Sequence, residues 1–135
     1  MTATRIRSEA DLPPITLSRP VYERLHALAE AAERRLPEVS DYLFRELERA
    51  KVVEEARLPD SVVTIGSRVT FLDLDTNQLH DVTLVWPSDE DAALHRLSVT
   101  TPVGAALIGL TAGQQIAWRN RTGLWRHLWV EKVEN

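Results

Sequence analysis

Few residues of this chain are placed to do chemistry. Glu38 and Asp41 stand three positions apart, just after the Leu36-Pro37 step between two helical segments. Carried at the tip of a stalk, such a carboxylate pair could hold Mg²⁺ or a water in another protein's active site. The same position also has a purely structural use, because carboxylates at a helix start offset the helix dipole. The four histidines, His26, His80, His95 and His127, fall in a charged helix, a strand, an acidic loop and the last hairpin. None pairs with another at metal-ligand spacing, so each reads as structural or surface. The chain has five glycines and no nucleophile elbow, phosphate-binding loop or dinucleotide fingerprint. No catalytic residue, metal ligand or cofactor is expected.

The tryptophans, Trp86, Trp118, Trp125 and Trp129, lie in strand-like segments and read as sheet packing. Stacking on single-stranded RNA would require interleaved basic residues that are missing here. Arg119, Arg121 and Arg126 cluster near the last hairpin, and three charges make a weak patch.

The bulk composition narrows the function classes further. At 135 residues with 44% apolar content, the chain fits one domain with one core, or a small domain with an appendage. With no Cys there is neither a disulfide scaffold nor a thiolate metal site. A formal charge of −4 argues against independent binding to a nucleic-acid backbone. No apolar run approaches the roughly 20 residues of a membrane span. The first fourteen residues carry Arg5, Arg7, Glu9 and Asp11 without an apolar stretch, so they do not read as a secretory signal. A cytoplasmic protein without membrane attachment is expected.

These residues must be positioned by a small set of elements. Residues 1–14 are polar and end in Pro13-Pro14, a disordered or extended leader. Ser18 and Pro20 signal a helix start. Tyr22, Leu25, Leu28 or Ala29, Ala32 and Leu36 then recur at helical spacing. After Pro37, Val39, Leu43, Leu47 and Ala50 line a second helical stripe ending near Ala56. Two helices of about 18 residues, roughly 27 Å each, would form an antiparallel hairpin over 15–57 with Glu38 and Asp41 at its far tip. The charged outer positions, "EAAERR" and "RELERAKVVEEAR", read as solvated helix faces.

Beyond Leu58-Pro59-Asp60 the period becomes strand-like. "SVVTIGSRVTFLDLD" and "LHDVTLVW" form a hairpin around Asp75–Gln78, "LSVTT" a short strand, and Pro102 to Gly109 a short helix. "QQIAWRN" and "LWRHLWVEKV" close the chain around "RTG". Helices followed by about five antiparallel strands make an α+β fold.

This order of parts resembles the Gre-type transcription elongation factors, above all their short relatives, the regulators of nucleoside diphosphate kinase. The match spans residues 15–134. Its most specific part is a Ser/Thr-Pro-x-Gly-x-Ala-Leu-x-Gly motif with a second Gly four residues on. Here the motif is Thr101, Pro102, Gly104, Ala106, Leu107, Gly109 and Gly113. It follows "VVT-x-x-S-x-V-x-F", carried by Val62, Val63, Thr64, Ser67, Val69 and Phe71.

The resemblance implies a short N-terminal coiled coil and an FKBP-like C-terminal domain over 58–135. It also implies docking on RNA polymerase at the mouth of its secondary channel, through Thr101, Pro102, Val103 and Gly104. Family members that stimulate transcript cleavage carry a longer coiled coil with an acidic tip, and only Glu38 and Asp41 correspond here. The expectation is therefore a non-catalytic regulator that competes with Gre-type factors without stimulating cleavage. Two alternatives are a module acting directly on nucleoside diphosphate kinase and an FKBP-like prolyl isomerase, the latter requiring an apolar concave pocket.

Overall fold

The computed structural model describes residues 12–120 and 122–135. Most of the expected leader, and Arg121 of the arginine cluster, lie outside the described residues. β1 (Ile15–Ser18) leads into α1 (Arg19–Ala32), where Ser18 is the extended cap residue and Pro20 sits in the first turn. A short turn brings the chain into α2 (Pro37–Glu48), which begins at Pro37 itself. The proline fits there because the first helical N–H groups have no partner inside the helix. α1 and α2 pack together through Leu25 and Ala29 on one side and Leu43 and Leu47 on the other.

The sheet region forms around β3 (Arg68–Asp73), β4 (Gln78–Val85), β5 (Arg96–Ser98), β6 (Gln115–Arg119) and β7 (Trp125–Glu134). Their order is β5-β4-β3-β7-β6. Turn chemistry at the β3–β4 tip is explicit: Asp73 Oδ1 accepts from the N–H groups of Asp75 and Thr76, and Asn77 takes a positive φ of 60°. α3 (Pro102–Leu107) lies between α2 and β6, and its four buried residues, Gly104 to Leu107, fill the space between helices and sheet. One core cluster thus joins Leu17, Leu25 and Leu43 to Leu107, Ile116 and Leu128. The helices share that core with the sheet.

Five sequence expectations need correction. The helices have 14 and 12 residues, about 21 and 18 Å at 1.5 Å per residue. The stretch after Glu48 is not helical, because Ala50–Val53 form β2, paired in parallel with β1. A β-branched Val52-Val53 pair with a waiting strand edge outweighs the continuing helical stripe. The main sheet is mixed, since β5 runs parallel to β4. Finally, Leu36 is 58% exposed beyond the end of α1, and Trp86 falls just past β4.

Candidate functional site

The Thr101–Gly104 turn is built on one carbonyl group. Ser98 O accepts from Thr101 N–H at 3.1 Å and from the Thr101 hydroxyl at 2.8 Å. Thr101 Oγ1 in turn accepts from Gly104 N–H at 3.0 Å, capping α3. Ser98 is itself held, its N–H donating to Glu90 Oε2 and its hydroxyl bonding Thr100 Oγ1. Gly104 must be glycine because a Cβ there would sit 2.1 Å from Ser98 O. Gly109, at φ +82°, is equally constrained: a Cβ would meet that of Ile15 at 2.8 Å, and its carbonyl accepts from Thr16 N–H. The rest of the motif is likewise structural. Val63 and Val69 are core, and buried Ser67 accepts from Thr64 N–H and contacts Asn135.

Pro102 and Val103 are different. Both are half-buried, and Pro102 lines two neighbouring clefts. One, of about 340 Å³, has Arg35, Leu36, Pro37, Glu38, Val39 and Tyr42 as its other walls. The second, of about 530 Å³, is formed with Leu97, Val103 and Trp118 on its apolar side and Asp73 and Arg126 among its polar residues. Arg126 Nη2 donates to Asp73 Oδ2 at 2.8 Å. Partial burial pushes the Asp73 carboxyl up, but the Arg126 hydrogen bond and the Asp75 and Thr76 N–H groups outweigh it and hold the group below its ordinary range. This cleft therefore presents apolar surface beside a satisfied ion pair.

Glu38 and Asp41 do not stand on a projecting stalk. Both are exposed, and with Tyr42 and Arg45 they line a third cleft whose other wall is Arg119, Asn120 and Gly123 from the β6–β7 turn. The packing of α2 on α3 holds this end of the helices beside Pro102. The structure thus brings Glu38, expected at the far tip of the hairpin, onto one surface with Pro102.

Three of the four histidines have structural partners: His26 pairs with Glu30 and meets the Phe44 ring edge-on, His80 stacks on Phe71, and His127 lies against Asp75 through its ring and its backbone N–H. Among the described residues, no three His, Cys, Asp or Glu side chains converge as a metal site. No described helix is long and apolar enough to cross a membrane.

One group escaped sequence reasoning. Glu46, taken for part of a solvated face, is 5% exposed. Its carboxylate lies 2.6 Å from Arg49 Nη2 in a buried ion pair. Burial pushes its pKa up to about 7 against the opposing charge of Arg49. Arg49 Nε also donates to Pro13 O at 2.9 Å. The signal was present, since Glu46 follows Leu43 by three and so shares the buried stripe.

The C-terminal family model of the GreA/GreB transcription elongation factors matches residues 58–135, and the Rnk N-terminus model matches 13–53. The regulator of nucleoside diphosphate kinase of Escherichia coli K12 is 40% identical over 113 residues, covering 83% of this chain and 82% of that one.

The chain belongs to the regulator of nucleoside diphosphate kinase family, short relatives of the GreA/GreB factors.

Longer members are more distant: the GreA of Thermodesulfovibrio yellowstonii is 35% identical over 74 residues, 55% of this chain but 47% of that one. A solved GreA/GreB elongation factor from Nitrosomonas europaea, 35% identical, superposes with a TM-score of 0.69 over 91% of this chain and 99% of that one. The GreA/GreB-like fold of this regulator family therefore extends through helices and sheet alike.

Proposed function

We propose that the protein is a non-catalytic, cytoplasmic transcription regulator that binds RNA polymerase at the rim of the secondary channel. There it competes with Gre-type factors and does not stimulate transcript cleavage. The supporting observation lies inside the motif: Thr101 and buried Gly104 fix the turn, and the half-buried Pro102 and Val103, with Thr101, line the adjoining clefts. In this reading 15–57 act as a short helical hairpin and 58–135 as an FKBP-like body that carries the docking edge. The absence of cleavage stimulation follows from reach. Helices of about 21 and 18 Å, whose turn rests beside Pro102, leave Glu38 and Asp41 at the rim rather than at a distant catalytic centre. A carboxylate outside hydrogen-bond or ligand distance contributes little to chemistry.

Competition binding against core RNA polymerase with a Gre-type factor, alongside an RNA-cleavage assay on stalled complexes, tests both parts. Displacement without added cleavage supports the reading. A second reading, direct contact with nucleoside diphosphate kinase, is favoured by the name of the E. coli relative. Mixing the two purified proteins tests it. An isomerase reading would use the Trp118 cleft and predicts turnover of a proline peptide.

A further inference from the structure

We propose that the α1–α2 turn is the second half of the docking surface, with Leu36 and Val39 seated on the same segment of RNA polymerase that covers Pro102. The inference rests on the polymerase reading above and names residues that the docking motif does not contain.

Three observations carry it. First, Pro102 lines the cleft that Leu36 and Val39 also line, and α2 is fixed against α3. A partner in close contact with Pro102 therefore meets the turn as well. Second, Leu36 breaks local rules at its position. It is the cap residue of α2, where Ser, Thr, Asp or Asn would accept a hydrogen bond from the first turn, and it makes no side-chain cap bond. It also leaves a large apolar side chain 58% exposed. Local rules are broken chiefly where a site needs the residue. Third, the charges around this surface balance, with Arg35 beside Glu38 in the first cleft, and Glu38 and Asp41 accompanied by Arg45 on their own wall of the third and by Arg119 on the other. A phosphate backbone gains little from such a surface. A protein segment with an apolar ridge and mixed flanking charges suits it, which matches a polymerase polypeptide rather than its nucleic acid.

The test uses the full-length protein titrated against core RNA polymerase. Leu36→Glu, Val103→Glu and Leu79→Glu are compared with wild type, Leu79 being equally exposed on β4 and away from these clefts. Truncating or reversing an interface anchor weakens binding about tenfold or more, and that is expected of Leu36→Glu and Val103→Glu but not of Leu79→Glu. Leu36→Ser guards against misfolding, because it supplies the missing cap. Weaker binding with unchanged or higher thermal stability is then the expected result. Loss with Val103→Glu but not with Leu36→Glu overturns this inference and leaves polymerase docking intact. Equal loss with Leu79→Glu also overturns it. No binding by wild type removes the docking reading itself.

Discussion

A Cβ on Gly104 would lie 2.1 Å from the carbonyl oxygen of Ser98. That approach, together with the two Thr101 hydrogen bonds to the same oxygen, fixes the path of the turn that sets Pro102 and Val103 at the surface. Gly104→Ala must push β5 and α3 apart, and overpacking of this kind costs about 1–3 kcal/mol. Thermal unfolding should show a midpoint lowered by several degrees, and an unchanged midpoint would contradict the geometry.

The Thr101 side chain supports the same turn through its hydroxyl, which donates to Ser98 O and accepts from Gly104 N–H. Removing a capping side chain costs about 1 kcal/mol and up to 2, so Thr101→Ala should be destabilised by that amount in denaturant titration. Thr101→Ser retains both hydrogen bonds and should stay close to wild type.

Glu46 makes stability depend on pH. Its pKa in the folded chain is about 7 against an ordinary 4.5, so between these values the folded state holds a proton that the unfolded chain has released. Stability therefore falls as pH rises through that window. Glu46→Gln cannot titrate and should lose this decline. Denaturation of both proteins at pH 5 and pH 8 gives the comparison, and parallel behaviour would show that burial does not hold the proton.

Much of this arrangement was legible in the sequence, and the failures have a common origin. The β3–β4 hairpin and the start of α3 were readable because Asp75-Thr76-Asn77 and Pro102 act through their immediate neighbours. β2 was not readable, since Ala50 continues a helical stripe and only the distant β1 edge turns Ala50–Val53 into a strand. The parallel direction of β5 is likewise a property of chain return rather than of Arg96–Ser98. The Thr101–Gly104 motif could be located, but the path of its turn depends on Ser98. The position of Glu38 beside Pro102 depends on how α2 meets α3. No local pattern encodes that contact.

The tip carboxylates give a negative prediction with a clear readout. Glu38→Ala combined with Asp41→Ala should leave RNA cleavage by polymerase unchanged in the presence of the protein, because their turn lies beside Pro102, at the surface proposed for docking. A change in cleavage rate with either substitution would mean that these carboxylates reach the catalytic centre.

The most direct measurement is an equilibrium titration of the labelled protein against core RNA polymerase, repeated with an unlabelled Gre-type competitor and with Pro102→Ala. The account predicts saturable binding at micromolar concentration or below, displacement by the competitor, and weaker binding by the variant. Absence of binding, or binding that neither the competitor nor Pro102→Ala alters, would contradict it.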